Sequence, residues 1–379
     1  MKLLNKIFIA GFVITVLLRP YNAFSKDISR TNVFNVPQGI MTFGWGNNFI
    51  DSESETFLGT GALNLNYISG VTVFFGWRDL EPEENKFDFS SLDKLIALAK
   101  AKNKTINIIF FPGANAPKWL FKKGIETFTW ERKLKEDVAV TKGDYKQLTS
   151  PLPWDSTFLE YWKRFISKVA EKYNGEKTIG YITITGPVIH EAGTGILLKE
   201  DADWERFVNT GYTYNKLLNA WKDIVEYYEK VMPDKRLVLI TGFNRQGKPD
   251  ISRSKDIVEY IMKKKYKNIS FLCVFLNDTW FLTSKGSKNM RSLLKEAKSN
   301  GFTFGYQMAQ SAHRNSTWVK SSPMVKSLKK CLETGDEDGA SWIEVWNDDI
   351  IDPNLRSKGI PNSTYIGDLK GAHQILMKK

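Results

Sequence analysis

Eight short apolar runs punctuate the chain: "GIMTFGW", "VTVFFGW", "INIIFFPG", "IGYITITG", "RLVLITGF", "ISFLCVFLN", "FTFGYQMAQ" and "ASWIEVW". Apolar character that hardly alternates, bounded by glycine, asparagine or charge, predicts strands covered on both faces. The stretches between them carry a helical period. Phe158, Trp162, Phe165, Ile166, Val169 and Tyr173 make one stripe, and Tyr214, Leu217, Leu218, Trp221, Val225 and Tyr228 make another, each a helix face turned to a sheet. A third stripe of Met324, Leu328, Cys331 and Leu332 is opened by Ser322-Pro323 and closed by Gly335, the order of N-cap, first-turn proline and C-terminal glycine. Ile366, Leu369, His373 and Leu376 mark the last helix, with His373 as a satisfied core histidine.

Strand and helix alternating about eight times predict the α/β class and a single (β/α)8 TIM barrel. No G-x-G-x-x-G or G-K-[ST] follows any run, which removes the usual nucleotide-binding reason for an open sheet. The segments 118–153 and 187–211 are long. In a barrel both lie on the face formed by strand C-termini, and their length predicts a walled cleft there.

The start of the chain changes the picture of where this barrel works. Lys2 and Lys6 precede an apolar run over residues 7–18 and then Ala23-Phe24-Ser25, the layout of a secretory signal with its cleavage site. We expect a signal peptide over 1–25, a barrel domain over 26–379, and a secreted or periplasmic protein. The apolar run is far short of the roughly 20 residues that span a bilayer, so no membrane span is expected after cleavage. Cleavage lowers the formal charge of +12 to +9. A basic exported protein favours anionic polysaccharide, anionic lipid or nucleic acid. The lysines are scattered, without a basic arm or an aromatic RNA motif, so no nucleic-acid partner is expected. Cys273 and Cys331 read as core thiols. The three histidines form no metal-binding spacing, Asp348, Asp349 and Asp352 read as a solvated acidic loop, and no cofactor or metal is expected.

The second and third units carry Trp77, Glu81-Pro82, Phe87-Asp88-Phe89, Leu92-Asp93 and Ala116-Pro117-Lys118-Trp119-Leu120. This stretch resembles the N-terminal barrel of glycoside hydrolase family 42 and its clan A relatives, over about residues 70 to 185. The resemblance implies a glycosidase with an acid/base Glu ending the fourth strand and a nucleophilic Glu ending the seventh. This chain has Thr185-Gly186 and Gln307 at those places.

Glycoside hydrolysis needs two carboxyl groups flanking an oxocarbenium-like transition state, and Gln307 cannot be one. Glu191, a few residues beyond the fourth run, is the expected acid/base, on a loop folded back over the mouth with His190 beside it. Strand alternation puts Trp342, Glu344 and Trp346 on one face of the eighth run. Glu344 is then the expected second carboxylate, inside the lumen below Trp346. The bland alternatives are a solvated Glu191 and a structural ion pair between Glu344 and Arg78 or a lysine. Asp278 in "FLNDTW" is a third acid, placed as in the α-galactosidase clan, with a turn-forming role as its alternative.

Trp45, Trp77, Trp119, Trp280 and Trp346 fall at or beyond strand ends, where indole faces stack on pyranose rings. Arg78, Asn277, Gln307 and His313 complete the expected binding set. The sequence thus points to hydrolysis of an O-glycosidic bond in a poly- or oligosaccharide. A carbohydrate-binding barrel that has lost catalysis is the alternative, and an envelope protein holding anionic polymer on its basic surface a remoter one.

Overall fold

The computed structural model describes residues 36–45, 60–133, 145–245 except 191, 197 and 199, 250–313 and 325–379. The expected signal segment, the Ser322-Pro323 helix start and Met324 lie outside these residues, as do Glu191 and the side chains of Trp45 and Trp280.

Strands β1 (Gly39–Trp45), β2 (Gly70–Gly76) and β3 (Thr105–Phe111) are followed by a hairpin of β4 (Thr127–Lys133) and β5 (Tyr145–Pro151). Then come β6 (Ile179–Ile184), β7 (Leu237–Thr241), β8 (Ile269–Leu276), β9 (Phe304–Met308) and β10 (Trp342–Trp346). All but the hairpin close into one parallel barrel in the order β1-β2-β3-β6-β7-β8-β9-β10, with β10 returning to β1. The eight runs are thus the eight staves of a (β/α)8 TIM barrel. Phe43 lies opposite Trp346 where the ring closes.

The outer layer is α1 (Ser90–Ala101), α2 (Ser156–Tyr173), α3 (Asp201–Asn209), α4 (Tyr214–Val231), α5 (Ser252–Lys264), α6 (Lys285–Ser299), α7 (Leu328–Glu337) and α8 (Ile366–Leu376). Helix α2 starts where the Asp155 carboxylate accepts from the Phe158 amide, at 2.7 Å, an N-cap of the order of 1 kcal/mol. It buries Phe158, Trp162, Phe165, Ile166 and Val169 completely, each contributing about 1.5–3 kcal/mol of burial. Thr213 caps α4 through the Lys216 amide.

Three sequence expectations are corrected. Helix α7 runs through Gly335 to Glu337, and the left-handed residue after it is Gly339, with φ +86°. Gly335 instead makes room for β10, since a Cβ there comes within 2.5 Å of Ile343 Cδ1. His373 is half-buried, and its Nδ1 is buried without a hydrogen-bond partner. Asp348 and Asp349 are not a solvated loop, being 3% and 0% exposed.

Inside the ring, Met41, Ile109, Phe111, Tyr181, Val238, Ile240, Leu272 and Trp342 pack into a lumen core separate from the helix-facing one. On β10, Ile343 and Val345 face the helices while Trp342 packs inward. A register shift between β3 and β6 skips Gly180 and brings Tyr181 opposite Asn107.

Candidate functional site

Glu344 is completely buried in the lumen. One carboxylate oxygen accepts from Thr72 Oγ1 on β2, at 2.8 Å, and from the Tyr181 hydroxyl on β6. The other accepts from Gln307 Nε2 on β9, at 2.7 Å. Asn107 Nδ2 donates in turn to Thr72, at 3.1 Å. These neutral donors replace the ion pair weighed as an alternative. Arg78 is exposed and donates instead to Asn115 Oδ1. Burial pushes the Glu344 carboxyl above the usual range, opposed by the bonds from Tyr181, Gln307 and Thr72. Burial and the nearby carboxylate hold the Tyr181 phenol far above its ordinary value, so Tyr181 remains a donor.

Gln307 and Glu344 are register partners on adjacent strands. The lumen carboxyl therefore stands one strand away from where the resemblance puts a nucleophile. One layer nearer the strand ends lies a run of aromatic rings. Phe43 and Trp346 approach to 4.6 Å, Phe43 and Phe74 to 5.9 Å, and Phe74 and Phe111 to 5.5 Å. Phe74 and Trp346 are only half-buried. They form an aromatic floor at the strand ends.

The end of β6 is closed to a carboxylate. Trp162 Nε1 donates to the Thr185 carbonyl, at 2.6 Å, and a Cβ on Gly186 falls 3.0 Å from Trp162 Cδ1 and 3.2 Å from Ile224 Cγ1. A side chain at Gly186 therefore points into the helix layer and away from the mouth. Past Pro187 the chain returns across the barrel. Val188, Ile189, Ala192, Ile196 and Leu198 are all buried, with Ala192 joining the lumen core.

The β9 and β10 loops meet at Asp349, which accepts from Ser311 Oγ, at 2.8 Å, and from the amides of Ala312 and His313, at 3.1 and 2.8 Å. Burial pushes its carboxyl up to about 6 against those three bonds. Sequence reasoning missed this carboxylate because "NDD" reads as a polar turn. Its burial comes from tertiary packing, in which Ser311 to His313 supply its hydrogen bonds.

The other expected site residues scatter. Trp77 is fully buried, packs on Trp119, Phe158, Trp162 and Phe165, and donates to Glu81 Oε2. It is core and offers no face to a sugar. Trp119 is half-buried and donates to the Glu81 carbonyl. Asn277 is buried and spends its side chain on the turn after β8, accepting from the Thr279 and Phe281 amides. Asp278 accepts from the Lys326 amide, at 2.6 Å. His190 is half-buried, its ring edge-on to Trp130. His313 is half-buried beside Asn362. Trp346 donates to the Met308 carbonyl, at 3.0 Å. The structure thus brings Glu344, Gln307 and Trp346 together and sets Trp77, Arg78 and Asn277 apart from them. Among the described residues no His, Cys, Asp and Glu cluster is disposed to hold a metal ion.

Residues 61–246 match the family model described as Glyco_hydro_42, Beta-galactosidase. That match covers just under half of the chain, which is a (β/α)8 TIM barrel similar over that stretch to the glycoside hydrolase family 42 barrel. Among solved structures, the beta-galactosidase from the Antarctic haloarchaeon Halorubrum lacusprofundi matches 90% of this chain and 58% of its own, at 13% identity and a TM-score of 0.56. The beta-galactosidase from Rahnella sp. R3 matches 90% and 56%, at 9% identity and a TM-score of 0.56. That from the psychrophilic Marinomonas ef1 matches 90% and 59%, at 9% identity and a TM-score of 0.51. This chain therefore spans less than two thirds of each of these enzymes, and at such identities the likeness is one of fold. No curated protein matches it in sequence.

Proposed function

We propose that the protein hydrolyses an O-glycosidic bond in a poly- or oligosaccharide bound at the C-terminal face of the barrel. The observation that carries this reading is the lumen position of Glu344, in register with Gln307 and beneath the aromatic floor. The acid work at the leaving oxygen, which the sequence assigns to Glu191, passes on this reading to Glu344, whose burial favours the protonated form. The partner carboxylate is Glu191, which sequence position alone supports. The substrate sits on Phe74 and Trp346, with His190 and His313 at the rim. The family match makes beta-galactosides the first substrates to try. The leader over 1–25 supports a secreted or periplasmic location, and N-terminal sequencing of the mature chain should then begin near Lys26.

A second reading has its own support: Gly186 and Gln307 stand at the usual carboxylate positions, and Glu344 is wholly enclosed. On that reading the barrel binds carbohydrate without cutting it. Reducing-end release from neutral and anionic polysaccharides, with wild type beside Glu191→Gln and Glu344→Gln, separates the two. Hydrolysis by wild type, abolished in either folded variant, supports the enzyme. Binding without turnover, unchanged by both substitutions, selects the binding barrel.

A further inference from the structure

Arg253, near the start of α5, is completely buried. A guanidinium removed from water is costly, and burial depresses its proton affinity. Among the described residues its hydrogen bonds go to no carboxylate. Nε donates to the Thr194 carbonyl, at 2.7 Å, Nη2 to the Asn244 carbonyl, at 3.1 Å, and Nη1 to the Tyr212 hydroxyl, at 3.4 Å. One rigid fork therefore grips two backbone segments, the strap that returns after β6 and the loop that leaves β7.

The rest of that junction is built to match. Thr194 Oγ1 and Ser254 Oγ lie 2.7 Å apart, and the Gly242 amide donates to both. The Thr194 amide donates to the Ile240 carbonyl, at 3.0 Å, adding a short pairing to the end of β7. Gly195 passes so close that a Cβ there falls 2.5 Å from the Phe243 carbonyl oxygen. Through this seat Ala192 enters the lumen core against the same cluster that Phe74 packs on.

We propose that Arg253 is a positioning residue of the carbohydrate site: by clamping the strap to the end of β7 it completes the floor on which the sugar rests. This rests on the carbohydrate reading above, but the clamp itself does not. Arg253 touches no substrate and acts through the strap.

The test uses the full mature chain with Arg253→Lys, which keeps charge and stem but loses the two-carbonyl fork, and Thr194→Val, which loosens the strap from the other side. Amide hydrogen exchange at Thr194 and Ile196 should quicken at least about tenfold in both, with the β2 and β3 amides unchanged. Affinity for a beta-linked galacto-oligosaccharide, by calorimetry, should fall about fivefold or more, beyond any change in melting temperature. Unchanged exchange in the strap overturns the clamp. Quickened exchange with unaltered affinity overturns its role in the site. Wild type that binds no probe in a panel of neutral and anionic oligosaccharides overturns the carbohydrate reading and the site role with it, while exchange still decides the clamp. If Arg253→Lys does not fold, Arg253→Gln, which loses the two-carbonyl fork and the charge, must give both changes, and failure of either overturns the proposal.

Discussion

Replacing Glu344 by leucine leaves the Thr72 hydroxyl, the Tyr181 hydroxyl and the Gln307 amide without this acceptor in the buried lumen. Such stranded donors cost about 3 to 5 kcal/mol together. Urea unfolding of Glu344→Leu should show that loss. Glu344→Gln should lose less than about 2 kcal/mol, because the Gln307 amide can turn its carbonyl towards the new donor. Asp349 makes a prediction in pH. Its folded value of about 6 lies above the ordinary 3.8, so between these values the folded state holds a proton that the unfolded chain has released. Its contribution is therefore fully present at low pH and fades as pH rises through 6, by roughly 3 kcal/mol at most. The difference in unfolding free energy between wild type and Asp349→Asn, measured from pH 4 to 8, should follow that fade. A flat difference would remove the buried-carboxyl account. Taking the difference cancels Glu344, whose raised value acts in the same direction.

The element at which this chain departs most from the resemblance is the end of β6, where Trp162, Ile224 and Tyr228 enclose Thr185 and Gly186. Gly186→Ala should destabilise by about 1 to 3 kcal/mol through overpacking, read as a lowered melting temperature. Gly186→Glu should give no gain in hydrolysis, because its carboxylate is aimed at the helix layer. The strands and major helices were legible because a strand buried on both faces must be apolar throughout, and a helix covering it must carry one stripe. The β4–β5 hairpin was not. "TFTWERK" and "YKQLTSP" are as long as the first barrel strands but polar, and their pairing is a tertiary event within segment 118–153. In the same way, alternation on β10 could place Glu344 but could not name its partners, which come from β2, β6 and β9. Trp77 was misread because a tryptophan at a strand end looks alike whether the next helix packs over it or leaves it bare.

For the whole molecule, the charge of +12 and the aromatic mouth are separate features. The ion-pairing lysines, such as Lys86, Lys168, Lys172 and Lys264, are spread over exposed helix and loop surface, and Phe74 and Trp346 floor the mouth. Attraction of an anionic polymer to scattered surface charge is long-ranged, and a Debye length of about 8 Å at physiological salt already weakens it. Stacking on an indole acts at contact and is nearly indifferent to ions. Binding of a neutral oligosaccharide should therefore be unchanged between 0.05 and 0.5 M salt, as rough limits of the screening range, and should fall about tenfold or more in Trp346→Ala. Retention on an anionic polysaccharide should vanish at the high-salt end and survive Trp346→Ala. If anionic retention instead depended on Trp346 at high salt, the mouth itself would be reading charge. The basic surface and the cleft would then have to be treated as one site.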